Sequence, residues 1–231
     1  MHPLDPLSAE EFRTVTAILG SEQGVGDGWR YASIELAEPT KSELAAYDTD
    51  GTPPPRRAVV VCFNSGENTT YKAFVSISGG SVDSFDLIPD VQANFTVDEF
   101  EECDRVLRAH PDVQAALAKR GITDMDSVFM DTWTYGGAVI PEEYKGRRLG
   151  WSDTWIRNSE GSNPYANPVS GLHCVIDVNT MELLRIEDTG GFDQPTVMGE
   201  YVPRHIPQRI RDTFNRPELK PLEITPVSYT H

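Results

Sequence analysis

The stretch Leu7-Ser8-Ala9-Glu10-Glu11-Phe12 predicts the start of a helix, and Phe95-Thr96-Val97-Asp98-Glu99-Phe100 repeats its pattern later in the chain. Ser8 and Thr96 are predicted N-cap residues, and the glutamate three positions after each can return a hydrogen bond to the N-cap backbone. The apolar residue before each cap can pack on one inside the helix as a hydrophobic staple. The chain is therefore predicted to begin the same kind of module twice.

Four strands are predicted after the first helix, because short β-rich runs alternate there with turn residues. They cover Trp29 to Leu36, Arg57 to Phe63, Tyr71 to Ser78 and Val82 to Ile88. Gly79-Gly80, between the last two runs, predicts a hairpin turn. One helix against an antiparallel sheet is the simplest packing solution, which makes the predicted fold class α+β.

The second module is predicted to contain two helices followed by four strands. The helices run from Val97 to about His110 and onward from Pro111. The strands cover Ser127 to Tyr135, Arg147 to Arg157, His173 to Val178 and Leu183 to Glu187, and Asn179-Thr180 predicts a hairpin turn. A short amphipathic stretch follows around Ile206 to Phe214. The sequence thus divides into a first α+β domain at 1–94, a second at 95–215 and a proline-containing linker at 216–231.

The composition is that of an acidic globular protein of 231 residues with a formal net charge of -16. Such a charge repels phosphate backbones and anionic lipid surfaces, so neither nucleic acid nor a membrane is expected as a partner. No apolar run approaches the span of a bilayer, and Met1-His2-Pro3-Leu4-Asp5 lacks the features of a secretory leader. We expect an intracellular protein, cytoplasmic or peroxisomal, that is not secreted.

Metal and nucleophile chemistry have no recognisable motif in the sequence. The five histidines are His2, His110, His173, His205 and His231. No two lie two, three or four residues apart, the spacing by which one strand or helix presents two ligands, so no metal site is predicted. His173 is predicted to be a hydrogen-bonded imidazole in a strand. The thiols of Cys62, Cys103 and Cys174 are predicted to be buried and inert.

Aromatic residues form the one distinctive cluster. They are Trp133, Tyr135, Trp151, Trp155 and Tyr165. Their large faces and single polar groups suit the lining of a channel for an amine. The same residue types dominate domain cores and protein interfaces, and composition alone favours those alternatives.

Four motifs, in order along the chain, resemble copper-dependent amine oxidases. They are His2-Pro3-Leu4-Asp5-Pro6-Leu7-Ser8, Met130-Asp131-Thr132-Trp133-Thr134-Tyr135-Gly136, Tyr165-Ala166-Asn167-Pro168 and Pro221-Leu222-Glu223-Ile224-Thr225. They are similar to the family's HPLDPLS, CDPWTIG, YAHP or YSHP, and PINVT. The likeness covers nearly the whole chain and is specific because the motifs keep their order.

The resemblance implies a fold and a set of site residues. In that family the second and third domains are small helix-plus-sheet units, cystatin-like or nuclear-transport-factor-like, outside a large catalytic β-sandwich. By motif, Phe100 corresponds to a residue at the rim of the substrate channel, while Trp133 and Tyr165 correspond to its lining. Full-length relatives are homodimers that use copper and topaquinone to oxidise primary amines to an aldehyde, ammonia and hydrogen peroxide.

The family's bond-making motifs have no counterpart in this sequence. Its quinone tyrosine lies in Asn-Tyr-Asp or Asn-Tyr-Glu, and its copper needs a His-x-His pair. We therefore expect the catalytic β-sandwich to be absent from this chain, which alone would bind neither cofactor and hold no catalytic residue. The alternative is a stand-alone binding or scaffold protein made of the two accessory domains. A hydrolase is disfavoured because no acid/base set is apparent.

Overall fold

The computed structural model describes residues 2–136, 140–191, 198–206 and 208–212. The helices α1 to α5 are Ala9–Gln23, Lys41–Asp50, Val97–Ala109, Pro111–Ala118 and Gln208–Arg211. The strands β1 to β8 are Trp29–Leu36, Arg57–Asn64, Thr69–Ser76, Ser81–Ile88, Val128–Thr134, Leu149–Ile156, Pro168–Asp177 and Glu182–Asp188. Single turns of 3-10 helix lie at Glu142–Tyr144, Pro164–Ala166 and Pro203–His205.

The first module is an antiparallel sheet of order β1-β2-β3-β4 with α1 packed on one face. Val15 and Leu19 of α1 are fully buried against inward residues of the central strands, such as Val60 and Ala73. The side chain of Ser8 accepts from the backbone N–H of Glu11, and the Glu11 carboxylate accepts from the N–H of Ser8, as the sequence predicts. The helix is therefore placed by its capping box and held by its apolar stripe.

Helix α2 was not predicted from the sequence. Thr40 and Glu43 form a capping box at its start, with the same spacing as the two predicted boxes. The helix buries no residue, so it lacks the apolar periodicity on which helix prediction depends. The capping box alone was the signal that could have found it.

The second module is an antiparallel sheet of order β5-β6-β7-β8. Helices α3 and α4 cover its inner face, where Cys103 and Leu107 of α3 pack with Val128 and Met130 of β5. Pro111 is the first residue of α4, a position where its missing N–H costs nothing. The predicted α+β class and two-module plan are confirmed, although β7 begins at Pro168 rather than His173.

The two modules meet at a junction of polar side chains. Asn68, in the β2–β3 turn, donates from Nδ2 to the carbonyl of Gly146 at 2.6 Å and accepts from Nδ2 of Asn179 at 2.9 Å. Gln92 donates to the carbonyl of Arg147 at 2.7 Å. These contacts join the β2–β3 turn and the segment after β4 to residues just before β6 and just after β7.

Several sequence-based predictions fall partly outside the described residues. The predicted linker at 216–231 lies outside them, and so does the end of the amphipathic stretch predicted around Ile206 to Phe214, within which α5 forms. Among the helices that the structure describes, none is long and apolar enough to cross a bilayer.

Candidate functional site

The candidate site is the outer face of the second sheet, opposite α3 and α4. Alternation along β5 and β6 sends one set of side chains inward to the core and the other set outward. The outward set, called here the aromatic face, is Phe129, Asp131 and Trp133 on β5 and Trp151, Asp153 and Trp155 on β6. Register places them directly opposite one another, as Phe129 with Trp155, Asp131 with Asp153 and Trp133 with Trp151. Among the described elements, the 3-10 turn at Pro164–Ala166 packs on Phe129 and Trp155 through Tyr165.

Trp133 and Tyr165 lie on this face with Asp131 between them. Trp133 is 57% exposed and Tyr165 is 43% exposed. The indole Nε1 of Trp133 donates to Asp131 Oδ2 at 3.0 Å. Burial raises the pKa of the Tyr165 phenol, and the neighbouring Asp131 carboxylate raises that pKa further. The three side chains therefore form one contiguous, solvent-facing group.

Tyr165 is held in place by two rings of the aromatic face. It meets Trp155 edge-on, with centroids 5.0 Å apart, and Phe129 edge-on at 5.9 Å. The 3-10 turn that carries it starts with Asn163, whose side chain accepts from the Tyr165 N–H at 2.9 Å. This combination of turn and ring contacts holds the partly exposed Tyr165 on the aromatic face.

Beside these rings lies a network of charged side chains. The His173 Nδ1 lies 3.0 Å from Asp153 Oδ1, and its ring stacks on Trp151 at 4.2 Å between centroids. Trp151 donates to Glu187 at 3.2 Å. Burial raises the pKa of Glu187, but hydrogen bonds from Trp151 and Arg185 outweigh burial and lower that pKa below its usual value. His173 is thus the hydrogen-bonded strand imidazole that the sequence predicts.

Phe100 is not brought together with the other two predicted site residues. It lies on α3, the helix that packs on the inner face, and is 38% exposed. Its ring neighbour is Phe95, at 5.8 Å between centroids with an edge-on geometry. The structure therefore offers two separate aromatic sites, one at the start of α3 and one on the aromatic face.

Thiol and metal chemistry find little support among the described residues. Cys62, Cys103 and Cys174 are free and fully buried. Burial raises their pKa values to about 11, about 12 and about 12, respectively, so the reactive thiolate is scarce at neutral pH. No group of three His, Cys, Asp or Glu side chains in the described part of the chain could hold a metal ion.

The aromatic cluster does not form the core of the second module, which was one of the two alternatives favoured by composition; the other was a protein interface. That core is aliphatic and sulfur-rich, built from residues such as Leu107, Leu117 and Met130. The five aromatic residues of the cluster belong instead to the outer side of the sheet or the loops beside it. Asp131 was not singled out from the sequence, although its alternation with Trp133 places both on the same face.

Family comparison accounts for both modules. The copper amine oxidase N2 domain matches residues 2–88, and the copper amine oxidase N3 domain matches residues 98–198. The chain belongs to the copper amine oxidase family. The first module is its N2 domain and the second its N3 domain, so the exposed Trp133 and Tyr165 both belong to the N3 domain.

Individual relatives cover nearly all of this chain but the chain covers only part of them. A primary amine oxidase of Arthrobacter sp. (strain P1) is 35% identical over 225 residues, which are 97% of this chain and 33% of that protein. A peroxisomal N-methylputrescine oxidase 1 of Nicotiana tabacum is 29% identical, over 96% of this chain and 32% of that protein. The N2–N3 chain thus spans about a third of the length of these relatives.

A solved structure shares the fold. The copper-containing benzylamine oxidase of Hansenula polymorpha superposes with a TM-score of 0.75 over 97% of this chain and 36% of that one, at 21% sequence identity. The arrangement of the two modules is therefore the fold of this family and not a feature of one sequence.

Proposed function

We propose that this N2–N3 chain forms one wall of the amine channel of a longer copper and topaquinone amine oxidase. In that role it guides a primary amine toward bond-making groups that lie outside the chain, and it makes or breaks no bond itself. The proposal is supported by the family membership and by the third of the relatives' length that the chain spans. The observation that carries it is the exposed group of Trp133, Tyr165 and Asp131.

The chemistry of this group matches a protonated amine. A primary alkylamine is a cation at neutral pH, as a lysine side chain is. Aromatic faces attract alkylammonium groups, and a carboxylate adds direct charge attraction. Asp131 lies between the two exposed rings, so a cation passing over either ring also approaches the carboxylate. The formal net charge of -16 adds a long-range attraction of the same sign.

The cofactors and assembly follow the same proposal. Copper and topaquinone would be held by parts of the longer protein, and the whole enzyme would be a homodimer. Its compartment would be intracellular, and a peroxisomal location is named for the tobacco relative. The substrate is proposed only as a primary amine.

The noncatalytic role is tested on the purified 231-residue chain after incubation with copper. We expect no quinone absorbance and no hydrogen peroxide when benzylamine or methylamine is added. The same assay on a full-length relative provides the positive control. Peroxide production above the copper-only background would overturn this part of the proposal.

The channel-wall role is tested by NMR of the labelled chain titrated with benzylamine and with benzyl alcohol, its neutral counterpart. The Trp133 indole and Tyr165 ring signals should shift with the amine, with a Kd on the order of 10 mM or weaker because a single wall is open to water. Trp29, in the core of the first module, should not respond. Equal shifts with the alcohol would contradict the proposal.

A charge variant separates attraction from nonspecific contact. Asp131→Asn should reduce the shifts that the amine causes and leave those of the alcohol unchanged. Asp126→Asn, which removes an exposed carboxylate before β5, is the matched control. Identical responses of the two variants would show that Asp131 plays no part.

A stand-alone binding or scaffold protein is the second candidate, because an exposed aromatic face also suits a protein partner. The downstream coding sequence distinguishes the two. An in-frame Asn-Tyr-Asp or Asn-Tyr-Glu and a His-x-His would support the oxidase, and their absence would support the scaffold.

A further inference from the structure

Arg148 and Glu99 form a buried ion pair at the junction between the modules. Each side chain is only 1% exposed, and the Arg148 guanidinium donates to both carboxylate oxygens of Glu99. Arg30, on β1 of the N2 domain, adds a second guanidinium 3.5 Å from Glu99. A buried charge pair is retained only with close geometry and further hydrogen bonds, so its partners are held in fixed positions.

The guanidinium also fixes the chain that leads into α3. Its Nη2 donates to the carbonyls of Ala93 and Asn94, both at 3.0 Å. Its Cζ lies over two rings, 4.6 Å from the centroid of Phe63 in the N2 domain and 4.5 Å from that of Phe95. Arg148 therefore orients Phe95 by stacking and by bonding to the two residues before it.

Glu99 links this pair to the helix. Its Oε2 accepts from the backbone N–H of Thr96 at 2.7 Å and from the Thr96 hydroxyl at 3.2 Å, which is the glutamate half of the capping box. The same carboxylate that begins α3 is thus the partner of Arg148. A shift of the guanidinium would move the first turn of the helix.

Phe100 lies next to Glu99 in that first turn and packs edge-on against Phe95. Two supports of its ring lead to Arg148: the helix start through Glu99, and the Phe95 ring directly. We propose that Arg148 is a positioning residue for Phe100 and that it holds this ring rigidly through Glu99 and Phe95. The functional meaning rests on the proposed channel role of Phe100, in which the rim would be a fixed edge set by the N2–N3 junction.

The test observes the Phe100 ring in the full 231-residue chain. Ring signals of the nine phenylalanines are recorded with labelled phenylalanine, and Phe100→Leu assigns the signal of interest. Arg148→Met should abolish the nuclear Overhauser contacts between Phe95 and Phe100 and move the Phe100 shifts toward those of an unstructured residue. Arg148→Lys keeps the charge but loses the planar stack, so it should restore part of the signature.

The matched control is Arg108→Met, which removes an arginine from the other end of α3, where it pairs with Asp104 at 2.8 Å. It should leave the Phe100 signals unchanged. If Arg148→Met does not fold, Arg148→Lys decides, and it must perturb Phe100 more than the control does. A folded Arg148 variant with wild-type Phe100 signals would overturn the inference.

The outcome is independent of amine binding. The Trp133 indole signal and its shift with benzylamine report the channel-wall proposal, and we expect both to persist in Arg148→Lys. If the wild-type chain shows no amine response, the channel-wall proposal is contradicted. The Phe100 signals would still test whether Arg148 positions that ring.

Discussion

The starts of α2 and α3 use one local pattern at two very different depths. At each, the backbone N–H of an N-cap threonine donates to a glutamate three residues later, and that glutamate pairs with an arginine from elsewhere. Glu43 is 29% exposed and meets Arg57, whereas Glu99 is 1% exposed and meets Arg148. Helix α2 buries no residue, while α3 carries part of the core. Local sequence therefore begins both helices, but burial decides how much the same motif contributes to stability.

The start of α1 is an intermediate case. Glu11 and Arg56 are both 15% exposed, and they pair at 2.7 Å. Arg56 also donates to the carbonyls of Pro3 and Asp5, so the pair ties the N-terminal segment to the sheet. Exposure rises from Glu99 to Glu11 to Glu43, so disrupting the three helix starts in that order should cost progressively less stability.

The largest effect is expected at Arg148. Arg148→Met leaves the Glu99 charge buried without its main partner, and the free energy of unfolding should fall by about 3–5 kcal/mol. Urea denaturation followed by circular dichroism measures it. Arg57→Met, the equivalent change at the exposed α2 pair, is the control. Equal costs for the two variants would remove the distinction between the helix starts.

Thiol labelling tests whether the junction couples the modules. Cys62 reports the N2 domain, and Cys103 and Cys174 report the N3 domain. In the wild-type chain the three should label with Ellman's reagent at one common, slow rate. In Arg148→Met labelling should be roughly a hundredfold faster, the factor that about 3 kcal/mol implies, with Cys62 separated from the other two. Separate rates already in the wild type would show that the junction does not couple them.

The pH dependence of stability tests the contribution of Glu11. Hydrogen bonding to Arg56 is the main cause that lowers the pKa of Glu11 from 4.5 to about 2. Because the folded pKa is the lower one, the stabilisation is present above pH 4.5 and is lost as the pH falls toward about 2. Glu11→Gln should cost about 1 kcal/mol at pH 7, allowing for solvent screening, and flatten the acid limb of the stability curve. Glu10→Gln, at the exposed neighbouring position, should retain the wild-type slope.

The smallest effect on global stability is expected at the cap of α2. Thr40→Ala removes the side-chain acceptor for the Glu43 N–H, which lies 3.2 Å away. Amide exchange in the first turn of α2 should accelerate about fivefold, the factor for a lost cap of ~1 kcal/mol, without a change in the urea midpoint. Hydrogen exchange by NMR measures it. A shift of the whole unfolding transition would mean that α2 belongs to the cooperative core.

These contrasts explain which parts of the fold could be predicted from the sequence. Strand alternation and hairpin turns are local signals, and they located the eight described strands, with the largest error at the start of β7, which is Pro168 rather than His173. The capping boxes located α1 and α3. Helix α2 was missed because its capping box is not followed by an apolar stripe. Most of the secondary structure could therefore be predicted from the sequence.

The site was predicted less completely, for a physical reason. The outward position of Trp133 follows from strand alternation, but its neighbours across the sheet follow from register, which involves residues distant in sequence. Arg147 and Arg148 are adjacent and chemically alike, yet only Arg148 is buried. That choice depends on Glu99 and Phe63, which contact it only after both modules have folded.

The contacts of Asn68 distinguish turns that tolerate an insertion from those that do not. Its turn touches Gly146 and Asn179 across the junction, so extra residues there would separate the modules. The turn at Gly79 and Gly80 is different, because Gly80 faces open space with a φ of +69°. A fluorophore-bearing loop or an affinity tag inserted at Gly80 should leave the arrangement of the two modules intact, whereas one inserted at Asn68 should disrupt it.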